Sequence, residues 1–228
     1  MGEKYILELI DVWKIYRMGK IDINALRGVN LKVKLGEFLA VMGPSGSGKS
    51  TLMNMIGCLD VPSKGSIYLD GHDISKLYES DLAQLRGRKI GFVFQQFNLI
   101  PTLTAIENVM LPMIFQNIKR EERVRKAEKL LDIVKLGDRR YHRPTELSGG
   151  QQQRVAIARS LCNDPEILLA DEPTGNLDST TGQEFMQFLR KLHTEEGKTI
   201  IMVTHDREIA KNADRTEFLK DGKIAKNI

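Results

Sequence analysis

The stretch GPSGSGKS, from Gly43 to Ser50, places glycines before an adjacent lysine and serine and matches the pattern G-x-x-x-x-G-K-[ST]. Glycines let successive backbone N–H groups curl around a phosphate, the lysine adds positive charge beside the β- and γ-phosphates, and the serine hydroxyl can ligate magnesium. An apolar run, EFLAVMG, precedes the stretch and a helical pattern follows it, which is the context this chemistry needs. The pattern predicts a nucleoside triphosphate site formed by Gly43, Pro44, Ser45, Gly46, Ser47, Gly48, Lys49, Ser50 and Thr51.

Two acidic residues, Asp171 and Glu172, end a second apolar run in ILLADEPTG. The carboxyl ends of buried strands are where α/β sheets bind ligands. Asp171 suits a magnesium ligand there, and Glu172, which alternation turns to the other side of the strand, could polarise an attacking water as general base. His205 in VTHD ends another apolar run and could contact the γ-phosphate. The alternative is structural: a solvated acidic pair and an ordinary core or surface histidine.

A second helix start with bare backbone lies in LSGGQQQRVAIARSL, from Leu147 to Leu161. Ser148 and Gln151 have the spacing of a capping box. Gly149 and Gly150 fit poorly, because a glycine inside a helix costs about 1 kcal/mol relative to alanine. Unpaired N–H groups at a helix N-terminus bind anions, so the glycines favour a second phosphate contact. A plain capping box explains the serine and the glutamine but not the glycines.

The rest of the sequence predicts the elements that position these residues. The first part, YILELIDVWKIY through LRGVNLKVKLGE, alternates as in an antiparallel sheet, and GSIYLDG and KIGFVFQ predict two further strands. EILLADEP and KTIIMVTH are continuous apolar runs, typical of central parallel strands. From about Phe97 to Cys162 the pattern is helical, including a helix in EERVRKAEKLLDIVKLG that Gly137 is expected to end. Asp221-Gly222 predicts a closing hairpin.

The composition is that of one ordinary globular domain: 41% of the 228 residues are hydrophobic and 28% are charged. The 34 basic and 30 acidic residues are interleaved, which gives no nucleic-acid signal. Cys58 and Cys162 lie in apolar helical contexts without a CxxC pair, as expected for core residues in a reducing compartment. Because no apolar run reaches the roughly 18 residues that span a bilayer, and no signal-peptide pattern is present, we expect a cytoplasmic chain.

Several stretches taken in order resemble the motif series of the ATP-binding cassette (ABC) ATPases and cover nearly the whole chain: GPSGSGKS, Gln95 in GFVFQQ, LSGGQ, ILLADE, NLDS and His205. YRMGKIDINALRGVNL, FQQFNLIPTLTAIENV and RPTELSGGQQQRVAIARSL are similar to the branch that serves lipoprotein release, macrolide efflux and the division-linked cassette complex. The resemblance implies an α/β fold: a P-loop NTPase three-layer core with an antiparallel β subdomain and an inserted helical subdomain. Within one domain, 1–228, it implies a core with the β subdomain at 1–96 and 163–228, and a helical signature subdomain at 97–162.

Further site residues follow from this resemblance at matching positions. Tyr16 corresponds to the aromatic residue that stacks on adenine, the alternative being a half-buried strand tyrosine. Gln95 resembles the residue that reaches magnesium and the attacking water while its loop senses a membrane partner. Asp178 in NLDS resembles a dimer-contact carboxylate. The LSGGQ stretch resembles the signature that caps the γ-phosphate of an ATP held by the opposite subunit, which would explain two phosphate-binding helix starts in one chain.

The resemblance therefore implies magnesium-dependent ATP hydrolysis in a head-to-tail homodimer, with ATP and Mg²⁺ as cofactors. Closure on ATP and opening after hydrolysis would drive an integral membrane permease subunit in export, lipoprotein release or mechanical coupling, with the chain peripheral at the inner face of the cell membrane. The alternative is a non-transport ABC ATPase. The DNA-repair type inserts a long coiled coil, for which the stretch between Gln95 and Leu147 shows no sustained heptads, and the translation-factor type carries two cassettes on one chain.

Apolar residues crowd the segment QFNLIPTLTAIENVMLPMIF that follows Gln95. We expect about half of them to pack the helical subdomain and the others to form a groove for a short cytoplasmic helix of the permease. The candidates are Phe97, Leu99, Ile100, Leu103 and Met113.

Overall fold

The computed structural model describes residues 4–225, so the first and last three residues of the predicted 1–228 domain lie outside the described residues. The chain divides into two compact units. The first contains the described residues up to Arg86 and from Phe188 onward, and the second contains Gly87–Gln187. The segment predicted to be helical, 97–162, lies inside the second unit.

Strands and helices alternate along most of the chain. The strands are β1 Tyr5–Met18, β2 Ile21–Lys34, β3 Phe38–Met42, β4 Lys64–Leu69, β5 His72–Asp73, β6 Ile90–Phe94, β7 Ile167–Asp171, β8 Thr199–Thr204, β9 Arg215–Lys220 and β10 Lys223–Ala225. The helices are α1 Lys49–Ile56, α2 Glu79–Lys89, α3 Ala105–Phe115, α4 Arg120–Ile133, α5 Gly149–Leu161, α6 Ser179–Glu196 and α7 Arg207–Ala210. Short 3₁₀ turns lie at Gly137–Arg139 and Pro144–Glu146.

The first unit contains both antiparallel and parallel strand pairs. β1 and β2 form a long antiparallel hairpin, with the order β2-β1-β4-β5, as the alternating sequence predicts. β3 lies between β8 and β9 and is parallel to both, and every residue of β3 and β8 is buried, which confirms the predicted parallel strand in KTIIMVTH. β9 turns into β10 at Asp221 and Gly222, which have φ 49° and 76°, so the predicted hairpin is confirmed.

The second unit consists of helices and a parallel pair of strands, β6 and β7. Helix α5 packs against α3, α4 and β6. Its capping box is confirmed: Ser148 Oγ accepts from the backbone N–H of Gln151, and the Gln151 side chain accepts from the backbone N–H of Ser148. Val155 and Ala158 are fully buried and belong to the packed face of α5.

One helix end differs from its prediction. Helix α4 ends at Ile133, and the left-handed residue that follows is Lys135, with φ 59°. The expectation that Gly137 ends the helix was therefore wrong. Gly137 instead begins the 3₁₀ turn that follows, where a Cβ on it would lie 2.1 Å from the Oδ1 of Asp132, an exposed side chain that can move aside.

Both cysteines belong to the core. Cys58 is 0% exposed and Cys162 is 1% exposed, and burial raises the pKa of their thiols to about 11 and about 12. Protonated, buried thiols are unreactive, which matches the packing role expected from the sequence. Among the helices of residues 4–225, none is long and apolar enough to cross a membrane.

Candidate active site

The glycine-rich loop connects β3 to α1 in the first unit and leaves backbone N–H groups available to a ligand. Gly48, the N-cap residue of α1, has φ 103°, and no side chain caps this helix. Gly46 has φ 76°, and a Cβ on it would meet nothing within 4 Å, so the loop is open there. The Lys49 Nζ donates to the carbonyl oxygens of Gly43 at 2.7 Å and Pro44 at 2.9 Å, which holds the ammonium group against the loop.

The loop fits a chain of phosphates. A Cβ on Gly43 would lie 2.1 Å from the Leu219 carbonyl oxygen, so only glycine can occupy the position. The buried Ser47 Oγ has no hydrogen-bond partner, and bare N–H groups with one lysine make an anion cradle. Pro44 and Ser45 are exposed at its rim. Ser50, also exposed, and Thr51 follow in the first turn of α1, where the Ser50 hydroxyl could ligate magnesium.

His205 leaves the same sheet edge as the glycine-rich loop. Strands β3 and β8 are parallel, with Met42 opposite Thr204, so Gly43 and His205 follow their strands side by side. The His205 residue is exposed. The first unit therefore brings together the loop and the histidine that the sequence assigned to the γ-phosphate.

Tyr16 lies on β1 opposite Ile23 and is 36% exposed, with one face of its ring occupied. The Lys14 Nζ lies 5.1 Å from the ring centroid, a cation–π contact. The Tyr16 hydroxyl donates to Asp60 Oδ2 at 3.2 Å, and burial together with the Asp60 charge raises the pKa of the phenol. The ring is thus anchored at its hydroxyl end and partly open, which is compatible with both the stacking role and the strand-tyrosine alternative.

Gln95, Asp171 and Glu172 come together in the second unit. Phe94 lies opposite Asp171 in the parallel β6–β7 pair, so Gln95 and Glu172 follow neighbouring strand ends. The Asn176 side-chain amide donates to the Gln95 carbonyl oxygen at 2.9 Å. The predicted magnesium ligands thus divide between the units: Ser50 lies in the first, whereas Gln95 and Asp171 lie in the second.

Glu172 is placed by a turn and not by strand alternation. Strand β7 ends at Asp171, and Glu172 adopts φ 46°, a left-handed conformation that is uncommon for a glutamate. The expectation that strand alternation turns Glu172 to the opposite side was therefore wrong, because Glu172 lies beyond the end of the strand and its direction is set by the turn. Strained backbone of this kind is concentrated at functional sites, where the surrounding structure holds it.

The two glycines of the LSGGQ stretch differ in their surroundings. A Cβ on Gly150 would lie 2.7 Å from the Thr181 Cγ2, so packing within the chain requires this glycine. A Cβ on Gly149 would meet only the Phe97 ring, at 3.9 Å, which is ordinary contact. Packing against Thr181 therefore accounts for Gly150, which a plain capping box does not explain, whereas none of the described residues packs closely enough against Gly149 to require a glycine there.

Asp178 has a structural task within its own chain. Its Oδ1 accepts from the backbone N–H groups of Thr180 and Thr181, and its Oδ2 accepts from the Thr181 hydroxyl at 2.7 Å, at the start of α6. These hydrogen bonds, first that of the Thr181 hydroxyl, lower the pKa of the Asp178 carboxyl. Asp178 is exposed, so a further contact with a partner chain is compatible with its position.

The sequence did not indicate several residues whose side chains donate hydrogen bonds to the backbone of the site segments. Asn176 bonds the Gln95 backbone, and Arg159, on α5, donates to the carbonyl oxygens of Phe97 and Asn98. The buried Gln153, also on α5, donates to the Pro173 carbonyl oxygen at 3.0 Å. All lie within or beside the stretches quoted above, but their partners are backbone oxygens, which leave no trace in side-chain spacing.

The fold and site define a member of the ABC ATPases. The sequence model of the ABC transporter family matches residues 26–175, which is more than half of the chain. The chain therefore belongs to the ABC transporter family and is an ABC ATPase.

The relatives include proteins of nearly the same length. An uncharacterized ABC transporter ATP-binding protein of Thermotoga maritima is 55% identical over 97% of this chain and 94% of its own. The dimeric structure of MJ0796, a cassette of Methanocaldococcus jannaschii, in a post-hydrolysis state bound to ADP and Pi, superposes with a TM-score of 0.89 at 52% identity, covering 96% and 97% of the two chains. The match confirms the predicted fold, a P-loop NTPase core with an antiparallel β subdomain.

One group of relatives is longer. The macrolide export ATP-binding/permease protein MacB of Brucella melitensis is 52% identical over 96% of this chain but only 34% of its own length. The present chain thus corresponds to about one third of that protein.

Proposed function

We propose that this ABC ATPase closes head-to-tail with a second copy around two ATP molecules and drives a membrane permease. The observation that carries the proposal is the helix start at Ser148, where no described residue packs closely enough against Gly149 to require a glycine. A helix start with two adjacent glycines beside the cap leaves room and backbone N–H groups that fit the phosphate of a nucleotide held elsewhere. The dimer of the relative MJ0796, bound to ADP and Pi, supports this arrangement.

Each residue of the site would then have one task. The N–H groups of the glycine-rich loop and Lys49 would bind the β- and γ-phosphates, and His205 would contact the γ-phosphate. Mg²⁺ would neutralise phosphate charge, held by Ser50, Gln95 and Asp171.

The general base would be Glu172, which would take the proton of the attacking water. The left-handed turn at Glu172 and the hydrogen bond from Asn176 to the Gln95 backbone would fix the two groups that face this water. Asp178 would contribute a carboxylate at the contact between the two copies.

The permease is proposed from the MacB relatives, whose name combines an ATP-binding part with a permease. We assign the chain to the export side of the family, in macrolide-type export, lipoprotein release or mechanical coupling, and to the inner face of the cell membrane through the permease. ATP binds the closed state better than the open state, and this difference in affinity is what would move the permease.

The shared site is tested by mixing two defective variants. In a heterodimer of Lys49→Ala and Ser148→Glu, one nucleotide site carries both defects and the other carries neither. The mixture should therefore bind ATP better than either variant alone, as measured by equilibrium dialysis. Folding of each variant is checked by circular dichroism. If the mixture never binds better than the variants do separately, the two nucleotides are not shared between chains.

A further inference from the structure

The loop that carries Gln95, residues 95–104, is fixed by side chains from other elements of the second unit. From α3, the fully buried Asn108 accepts from the Ile100 N–H at 2.8 Å and donates to the carbonyl oxygens of Ile100 and Leu103. From α5, Arg159 donates through Nη1 to the Asn98 carbonyl oxygen at 2.5 Å and through Nη2 to that of Phe97 at 2.8 Å. Asn108 holds the far end of the loop, and Arg159 holds the part next to Gln95.

The Arg159 contact belongs to the same helix as the second phosphate-binding start. Helix α5 begins after Ser148 and contains Arg159 in its last turn. Helical side chains lean towards the N-terminus, which lets the long arginine reach back to the loop. At the other end, the Phe97 ring is the nearest neighbour of a Cβ built on Gly149. The loop therefore passes beside the start of α5 and is hydrogen-bonded to the last turn of the same helix through Arg159.

The guanidinium group is well suited to this contact. Its planar fork supplies two parallel N–H donors, which a lysine ammonium cannot reproduce in fixed geometry. Burial lowers the pKa of Arg159, and hydrogen bonds from a charged donor in a partly dry site are stronger than neutral ones. Two neighbouring carbonyl oxygens lose their donors when the side chain is removed, so the loop would reorganise.

We propose that Arg159 is a positioning residue that ties the Gln95 loop to helix α5, so that the place of Gln95 depends on the helix whose start contacts the partner's nucleotide. The inference rests on the proposed function. In this arrangement, Ser148 contacts the nucleotide held by the partner chain, and a movement of α5 caused by that contact changes the position of Gln95 in the same chain through Arg159. The two sites would thereby be coupled through one rigid helix and one pair of hydrogen bonds.

A double-mutant cycle on ATP hydrolysis tests whether Arg159 acts through Gln95. We expect Arg159→Met, which keeps the apolar stem, to lower kcat by about tenfold while the KM for ATP changes by less than about twofold. In a Gln95→Ala background the same substitution should cause no further loss, because the group that it positions is gone. Arg159→Lys should recover part of the activity. Additive losses in the double variant would overturn the proposal.

Amide hydrogen exchange supplies a readout that does not depend on activity. Arg159→Met should speed exchange in residues 96–104 by about tenfold or more and leave α4 unchanged. Arg140→Met is the matched control: Arg140 donates to Glu128, Asp132 and the Gly137 carbonyl in the same unit, without touching the loop. Unchanged exchange in the loop of Arg159→Met overturns the proposal even if hydrolysis falls. Failure of the mixed Lys49→Ala and Ser148→Glu variants to regain ATP binding would instead refute the proposed function, while the exchange experiment would still decide the contact.

Discussion

Among single residues, Glu172 is the proposed general base, and it is held in a left-handed conformation that is uncommon for a glutamate. Glu172→Gln keeps the shape but removes the proton acceptor, so ATP should still bind while hydrolysis falls by at least about 10²-fold. ATP should then trap a dimer visible by gel filtration. Glu166→Gln is the control and should hydrolyse ATP normally, because Glu166 precedes the first residue of β7, at the end opposite Glu172, and is paired with Lys89. Near-normal turnover in Glu172→Gln would exclude it as general base.

Tyr16 allows the two interpretations of its ring to be separated. Tyr16→Ala should weaken binding of ATP and GTP alike by about 1–3 kcal/mol, because stacking uses a π face that every base has. Tyr16→Phe loses the hydrogen bond to Asp60 but keeps the ring, so it should bind nearly as well as the wild type. Fluorescence titration with both nucleotides measures the difference. Unchanged affinity in the alanine variant would leave Tyr16 as a strand residue packed by Lys14.

Among the elements, helix α5 offers a comparison of two adjacent glycines, Gly150, which packs against Thr181, and Gly149, which we propose contacts a nucleotide. Gly149→Ala adds a Cβ that makes only ordinary contact with the Phe97 ring and removes the entropic cost of glycine, so Tm should stay equal or rise while ATP-dependent dimerisation is weakened. Gly150→Ala places a Cβ 2.7 Å from Thr181 and should lower Tm. Scanning calorimetry and gel filtration with ATP measure both effects. Gly149→Ala with full ATP-dependent dimerisation would show that bare backbone is not needed there.

The elements differ in how much of them the sequence could predict. The strand-loop-helix around Lys49, the capping box of α5 and the turn at Asp221 and Gly222 are local, and side-chain spacing alone predicted them. The end of α4 was missed because the left-handed residue is Lys135, and a lysine there gives no signal.

Contacts between distant parts of the chain could not be predicted from the sequence, for a physical reason. Arg159 donates to carbonyl oxygens of the Gln95 loop at sequence separations of 61 and 62. Every residue offers a carbonyl oxygen, so no pattern marks which one is used. Likewise, the need for glycine at 150 comes from Thr181, which only the fold brings near.

At the scale of the whole molecule, the groups proposed for hydrolysis are divided between the two units: Lys49 and His205 in the first, and Gln95 and Glu172 in the second. Under the proposed function, ATP would shift the conformational equilibrium because it binds one state better than the other. The proposed permease would contact a surface tied to these groups, and the segment after Gln95 is our candidate for it. Met113, one of the expected docking residues of that segment, is fully buried in α3 and belongs to the core, so it is excluded from this surface.

Ile100 is the docking residue that the structure favours for a test. Ile100 is 38% exposed, while its backbone N–H and carbonyl oxygen are both hydrogen-bonded to the buried Asn108 side chain. Because Asn108 bonds only the backbone, Ile100→Asp should leave the loop in place, the protein folded and its ATPase activity within about twofold, yet abolish co-purification with the permease. Ile133→Asp is the matched control: Ile133, at the end of α4, is 47% exposed, and the variant should still bind. If Ile100→Asp unfolds the protein, the side chain is part of the core, and if the complex persists, the permease docks elsewhere.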